Sequence, residues 1–263
     1  MIKKELFNNG TRRWIYIGRD PDLPEAVIDT NEYVVIDDGK ALLLDPGGIE
    51  IFPAVTAMLT REVSLDSIEA IFASHQDPDI VSSLSLWLDL CPQIQVYSCW
   101  IWTTFLAHFG GYGALRAVPD HGGPLPLGRS KDLTLIPAHY CHSAGNYSLY
   151  DPQARILFSG DIGAALLPRG QNALFVEDFD AHVPAMEGFH RRWMPSNEAK
   201  NRWVQRVRQL DVDMLCPQHG AIFRGEMVGR FLDWFEAFNV GVTTEMVGTV
   251  GESADLTSRA GAD

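Results

Sequence analysis

The sequence predicts one α/β domain in which two β-sheets pack face to face with helices on their outer sides. The chain has 263 residues, of which 46% are hydrophobic and 21% charged, as is typical of a globular protein with a substantial core. Short apolar strands and amphipathic helices occur in both halves of the sequence. Two facing sheets with outer helices would bury these elements, although the periodicity also fits other mixed α/β layers. We expect a single domain over residues 1–240.

The first half opens with short apolar strands and then alternates between strand and helix. Asp, Pro and Gly residues separate the opening strands and favour turns between them. A Gly- and Pro-rich loop is expected at 110–128. The predicted strands are 11–18, 32–37, 41–45, 68–73 and 94–98, and the predicted helices are 51–61, 80–90 and 99–109.

The second half again supplies strands and then helices. Residues 241–263 are small, polar and acidic, so we expect a flexible C-terminal tail there. The predicted strands lie near 132–137, 146–150, 155–159 and 212–216, and the predicted helices lie near 182–193, 197–209 and 225–239.

Charge and cysteine content restrict the partners and the cellular location. The net charge of −13, without a long Lys/Arg cluster, argues against nucleic acid and anionic membranes as partners. No apolar stretch reaches the length of a signal peptide or a membrane span, so a cytoplasmic protein is expected. Four cysteines without a C-x-x-C pair are typical of reduced, buried thiols: Cys91, Cys99, Cys141 and Cys216.

A candidate metal-binding segment directly follows the predicted strand 68–73. Pro78 favours an extended conformation at Asp77, and alternate residues of an extended segment point the same way. His75, Asp77 and Asp79 can therefore converge, and a cation between them would offset their mutual repulsion. The alternative is local: Asp79 caps the following helix and Asp77-Pro78 forms a turn.

Three later residues share one setting, because each follows an apolar strand and adjoins a glycine-containing loop. They are His142, Asp161 and His219. Glycine beside a ligand allows the backbone to approach closely, although each segment taken alone is also a common turn. Together with the first segment, they predict a cluster of three histidines and three aspartates that holds metal.

The ordered series His75, Asp77, Asp79, His142, Asp161 and His219 resembles the metal-binding series of the metallo-β-lactamase superfamily, over about residues 30–240. The resemblance implies an αββα sandwich. Asp77 stands where hydrolases carry the second histidine of H-x-H-x-D-H, and Ile80 stands where they carry the third. The carboxylate resembles the H-x-E-x-D-H form of flavodiiron proteins, and CHSAGNYSLYD, ILFSGD and PQHG resemble their later motifs. HQDPDI and FHRRWMPSN (189–197) are similar to oxygen-binding diiron relatives of the flavodiiron enzymes.

The resemblance also implies a division of the ligands between two metals. In this division His75, Asp77 and His142 bind one metal, and Asp79 and His219 bind the other. Asp161 bridges the two. Ile80 leaves the second metal one protein ligand short and provides an open position. Three carboxylates and three imidazoles favour iron or manganese and tolerate zinc, and we expect two iron ions.

Further candidates lie near these ligands. Asp45 in LLLDPGG either orients a ligand or forms a plain Asp-Pro-Gly turn. His139 would face away from His142 in an extended chain, so it is expected behind the ligands or in packing. Tyr147 and His190 are candidates for the pocket lining.

The expected function is that of a non-haem diiron protein that binds dioxygen or nitric oxide. It would act as a sensor or binder, or as a reductase that takes electrons from an external donor, since no flavin is expected to bind this chain. A metal-dependent hydrolase of an ester, thioester or lactone is the alternative, and a partner-binding module with a vestigial site is a third hypothesis. The resemblance further implies a homodimer.

Overall fold

Two mixed β-sheets pack face to face between two layers of helices in the computed structural model, which describes residues 1–18, 27–168, 171 and 173–241. The predicted fold class is confirmed. The predicted tail lies almost entirely outside the described residues, so its flexibility stays a prediction. Among the described residues, no helix is both long and apolar enough to cross a membrane.

The first sheet has seven strands in chain order. Strands β1 to β4 are antiparallel, whereas β4 to β7 run parallel and are connected through helices on one face. The strands are β1 (Ile2–Asn8), β2 (Arg12–Gly18), β3 (Asn31–Asp37), β4 (Lys40–Leu44), β5 (Ile68–Phe72), β6 (Gln95–Cys99) and β7 (Leu115–Val118). The helices are α1 (Phe52–Leu59), α2 (Pro78–Val81), α3 (Leu84–Leu90) and α4 (Trp100–Leu106).

The second sheet has six strands in the order β13-β12-β11-β10-β9-β8, and only β11 and β12 pair in parallel among its described strands. Its strands are β8 (Gly123–Pro124), β9 (Thr134–Pro137), β10 (Tyr147–Asp151), β11 (Ile156–Gly160), β12 (Met214–Pro217) and β13 (Phe223–Arg224). The helices on its outer face are α5 (Phe179–Trp193), α6 (Asn197–Val207) and α7 (Glu226–Ala237).

Three apolar layers hold these elements together. Successive side chains of a strand point to opposite faces, so Tyr33 and Val35 of β3 pack between the sheets, whereas Val34 and Ile36 pack toward the helices. Both faces of the central strands are therefore buried, which explains why they are continuous apolar runs in the sequence. A third layer joins the second sheet to α5, α6 and α7.

The structure corrects several predicted boundaries. The predicted helix 80–90 is two helices, α2 and α3, which meet at a serine pair. Ser83 Oγ donates a hydrogen bond to the Gly47 carbonyl (2.6 Å), and Ser82 Oγ accepts one from the Ile49 amide (3.1 Å). Strands β7 and β8 lie inside the predicted loop 110–128, and β1 and β13 were not predicted. These strands are short or largely exposed, and such strands carry a weak hydrophobic signal.

Candidate metal centre

The six predicted ligands all lie beyond the carboxyl ends of strands. His75, Asp77 and Asp79 follow β5 in the first sheet. The other three come from the second sheet: His142 follows β9, Asp161 follows β11 and His219 follows β12. Each sheet thus contributes three of the candidate ligands, and the loops meet at one end of the sandwich.

Four of these side chains form a close group. His142 Nε2 lies 3.2 Å from Asp77 Oδ2, 3.1 Å from Asp161 Oδ2 and 3.2 Å from His75 Nε2. His75 Nε2 lies 3.6 Å from Asp77 Oδ2 and 3.5 Å from Asp161 Oδ2. One ligand atom from each residue falls within 4.8 Å of the others, so the group offers a site for a metal ion.

Asp79 and His219 lie on the other side of Asp161. His219 Nε2 is 3.2 Å from Asp79 Oδ2 and 3.5 Å from Asp161 Oδ1. Asp161 therefore directs Oδ2 toward His75 and His142 and Oδ1 toward His219. The structure brings all six predicted residues together and places Asp161 between two subgroups.

The aspartates of the cluster raise the pKa values of its three histidines. Burial acts to lower the pKa of His75 and His142, but Asp161 and Asp77 outweigh it and raise both. Burial also opposes the effect of Asp79 and Asp161 on His219, whose pKa rises to about 9. Asp161 Oδ1 is buried without a hydrogen-bond partner in the described chain. A buried carboxylate oxygen without a hydrogen-bond partner, beside imidazole nitrogens, fits a site that binds a cation.

Asp45 is connected to the cluster through Ser74. Its carboxylate accepts hydrogen bonds from the Ser74 amide (2.7 Å) and from Ser74 Oγ (2.5 Å), and Ser74 Oγ lies 2.9 Å from His75 Nδ1. Because the Ser74 hydroxyl donates to Asp45, it accepts from His75 Nδ1–H. This leaves His75 Nε2 free to face the cluster. These contacts are those expected of a residue that orients a candidate ligand.

The side chains that support the aspartates were not predicted from the sequence. Gln76 Nε2 donates to Asp77 Oδ1 (2.8 Å), and Ser143 Oγ donates to Gln76 Oε1 (2.6 Å). Gln218 Nε2 donates to Asp79 Oδ2 (3.2 Å). Gln76 and Gln218 each adjoin a candidate ligand in sequence, but a neighbouring amide side chain is too common to single them out.

The alternative of simple helix capping does not describe the first segment. Asp77 stands at the N-cap of α2, but its side chain makes no capping hydrogen bond. Asp79 lies in the first turn of α2 and turns its carboxylate toward His219. Ile80 is fully buried in the apolar layer between the first sheet and its helices.

Two other candidates, His139 and Tyr147, contact each other and backbone carbonyls. His139 Nε2 lies 2.8 Å from the Asp120 carbonyl, and its ring packs on Tyr147, with the centroids 4.9 Å apart. The Tyr147 hydroxyl donates to the Pro119 carbonyl (2.9 Å), which places this side chain in the core between the sheets and not in the pocket.

His190 is buried, and both of its ring nitrogens are bonded to backbone groups. Nε2 accepts from the Gly163 amide (3.0 Å) and Nδ1 lies 2.9 Å from the Met186 carbonyl. Burial lowers the pKa of His190 to about 4, so the ring is neutral and donates from Nδ1. It ties α5 to the loop that follows Asp161 and does not line the pocket.

The fold and the cluster define a metallo-β-lactamase-type protein with a potential metal-binding group. Residues 28–220 match the family described as ODP family beta lactamase. The chain therefore belongs to the ODP family beta lactamases. The resemblance inferred from the motifs is confirmed.

Solved structures agree with this assignment. The apo state of the chemotaxis sensor ODP from T. denticola is 38% identical, with a TM-score of 0.84 over 94% of this chain and 99% of that chain. A structure of the chemotaxis sensor ODP described as a peroxy diiron species is 36% identical, with a TM-score of 0.84 over 94% of this chain and 100% of that chain. A flavoprotein from Thermotoga maritima shares the fold at 20% identity, with a TM-score of 0.75 over 89% of this chain and 60% of that chain.

Curated relatives are longer proteins. Diflavin flavoprotein A 1 from Synechocystis sp. is 24% identical over 212 residues, which cover 79% of this chain and 36% of that protein. Putative diflavin flavoprotein A 3 from the same source is 27% identical over 228 residues, covering 78% of this chain and 35% of that protein. The chain thus spans about a third of the length of these relatives.

Proposed function

We propose that this protein is a non-haem diiron protein that binds dioxygen and acts as a sensor or binder. The observation that carries the proposal is the position of Asp161, whose two carboxylate oxygens face separate groups of ligands. A relative that is 36% identical over nearly the whole chain is described as a peroxy diiron species of a chemotaxis sensor. The position of Asp161 and the similarity to this sensor therefore support the same function.

The donor atoms support the division of ligands that the motifs imply. His75, Asp77 and His142 would hold one iron, Asp79 and His219 would hold the other, and Asp161 would bridge them. The distances support this division because Asp161 Oδ2 faces the first group and Oδ1 faces the second. The second metal would have two unshared protein ligands, and the buried Ile80 would supply none.

Iron is favoured by the chemistry of the donor set. Three carboxylates leave a divalent metal pair with a charge of about +1. Carboxylate oxygens and imidazoles are ligands that suit iron or manganese, whereas structural zinc favours closed sites of cysteine and histidine. When bound, a reduced iron pair can supply electrons to a small ligand. The residues of this chain hold and orient the metals, and the Asp45–Ser74–His75 chain fixes one imidazole for that role.

Metal analysis combined with absorption spectroscopy tests this function. Protein loaded anaerobically with ferrous iron should contain about two irons per chain and should change its spectrum when dioxygen is added. Nitric oxide is the second ligand to test on the same sample. Without an added electron donor, dioxygen should be taken up stoichiometrically and not consumed continuously. Stoichiometric zinc together with hydrolysis of esters, thioesters or lactones would contradict the proposal and favour a hydrolase.

Replacing Asp161 tests the bridge. Asp161→Asn removes the negative charge that faces both subgroups, so the variant should bind at most one iron per chain. Asp180→Asn, at an exposed position on α5, is the matched control and should keep both irons. Iron content measures metal binding by the two variants, and circular dichroism shows whether they are folded. Retention of both irons in a folded Asp161→Asn protein would show that Asp161 does not bridge.

The assembly and partners of the protein stay predictions. We expect a homodimer, a cytoplasmic location, and either a signalling partner or an external reductase. Light scattering on the purified chain tests the dimer. Co-purification from cells tests the partner.

A further inference from the structure

One aromatic ring, that of Phe189 on α5, lies against both halves of the candidate metal centre. Its centroid is 6.0 Å from the ring of His142 and 6.5 Å from the ring of His219. These histidines belong to the two different subgroups that Asp161 joins. The side chain is only 6% exposed, so its ring lies inside the protein beside the cluster.

The position of Phe189 is fixed by its own helix. Trp193, one turn later, stacks on the Phe189 ring with the centroids 5.3 Å apart and the planes 13° apart. His190, the next residue, is bonded to the Gly163 amide in the loop after Asp161. Stacking on one side and this anchor on the other restrict the movement of Phe189 away from the cluster.

The apolar ring of Phe189 affects which small ligands can reach the metals. A hydrated anion that enters the space beside Phe189 gives up water and receives no hydrogen bond from the ring in return. A small uncharged molecule pays no such penalty. Between an uncharged diatomic gas and an anion of similar size, the site therefore favours the gas.

We propose that Phe189 is the specificity-determining residue of this centre, covering it so that small uncharged ligands enter and anions are disfavoured. This inference rests on the proposed function, because it assumes that metals occupy the cluster. It goes beyond that function by naming the side chain that selects the ligand class. Phe189 binds no metal in this proposal.

Azide binding to cobalt-loaded protein tests whether Phe189 disfavours anions, without the use of iron or dioxygen. Co²⁺ bound at the cluster absorbs visible light, and an anion that joins its coordination shell changes that spectrum. Azide should bind to Phe189→Ala at least about tenfold more tightly than to the wild type, since an unsatisfied polar group costs roughly that factor or more. Phe189→Leu, which preserves more of the packing, should show a smaller gain in the same direction.

Phe179 provides a matched control on the same helix. It is 4% exposed, its ring packs on Phe223 with the centroids 6.4 Å apart, and the Arg230 guanidinium lies over it at 5.0 Å. Phe179→Leu should leave azide affinity unchanged. Equal azide affinity in the wild type and both Phe189 variants would overturn the proposed role of Phe189. A gain of azide affinity in Phe179→Leu equal to that in the Phe189 variants would do the same. Failure of the wild type to bind cobalt at the cluster would instead overturn the proposed function, and the inference with it.

Discussion

Glu32 of β3 is a buried acid whose ionisation opposes folding. Its side chain is 1% exposed. Burial raises its pKa from an ordinary value of 4.5 to about 8, against a smaller opposing effect of the Thr30 side chain. At neutral pH the folded protein therefore holds Glu32 as the neutral acid, whereas the unfolded chain ionises it.

Glu32→Gln should reduce the loss of stability with rising pH. Because the folded pKa is raised, the contribution of Glu32 to stability is fully present below pH 4.5 and is lost as the pH rises through about 8. Between pH 4.5 and about 8, removal of the Glu32 carboxyl group should reduce the slope with which the unfolding free energy falls with pH. The reduction should be up to about 1.4 kcal/mol per pH unit. Urea unfolding of metal-free protein across the window measures this slope. Glu50→Gln, at an exposed position, is the control and should keep the wild-type slope; an unchanged slope in Glu32→Gln would contradict the prediction.

Individual ligands were predictable from the sequence because strand ends in an α/β protein collect at one edge. His75, Asp161 and His219 each follow an apolar run closely, and the structure brings them together. The contacts of Ser74 with His75 and of Phe189 with two ligand rings were not predictable, although Phe189 begins the quoted segment FHRRWMPSN. Their roles depend on distances between segments far apart in sequence, and a serine or phenylalanine near a histidine has no distinctive pattern.

At the scale of elements, two adjacent parallel strands align one imidazole. Asp45 directly follows β4 and Ser74 follows β5, and the pairing of these strands sets the carboxylate beside the serine. The Ser74 hydroxyl then fixes the nitrogen with which His75 faces the cluster. The orientation of a ligand is thus a consequence of sheet register.

Ser74→Ala should weaken metal binding without unfolding the protein. The change removes the acceptor for His75 Nδ1–H and one of the hydrogen bonds to Asp45, and the loss of such a supporting partner typically costs about 10- to 100-fold in metal affinity. Competition with a chelator for bound cobalt measures this change. Ser64→Ala alters an exposed serine before β5 and should leave affinity unchanged. Equal affinities of the two variants would mean that the serine does not orient His75.

Long helices and central strands were predictable, whereas the short edge strands were not. Helices α5 and α6 follow the N-cap residues Asp178 and Ser196, whose side chains accept hydrogen bonds from the Ala181 and Ala199 amides. The predicted start of α5 was nevertheless a few residues late. Strand β7 has two exposed residues in four and, among the described strands, pairs with β6 alone, so its local pattern is that of a loop.

At the scale of the whole molecule, the cluster exists only when the two sheets are aligned. Each sheet supplies three candidate ligands, and polar contacts join the sheets near them: Asn31 Nδ2 donates to the carbonyls of Pro217 and Gly220 (2.9 Å each). A second link involves Arg12 of β2, which is fully buried. Its guanidinium lies 3.2 Å from Asp37, 2.9 Å from Asp132 and 3.0 Å from Asp151. Since β3 and β4 are antiparallel, Asp37 lies at the end of the sheet opposite Asp45.

Arg12→Met should therefore destabilise the sandwich without altering the metal site directly. Asp151 is fully buried and Asp37 nearly so, and the substitution removes the cation that these two buried carboxylates share. Such a loss typically costs about 3–5 kcal/mol. The neighbouring Arg13 pairs with Glu5 and Glu62 at a partly exposed position, so Arg13→Met should cost only roughly 0–1 kcal/mol. Urea unfolding compares the two variants, and chelator competition on folded protein should give wild-type metal affinity for both. An Arg12 variant no less stable than the Arg13 variant would mean that the Arg12 ion pairs do not hold the two sheets together.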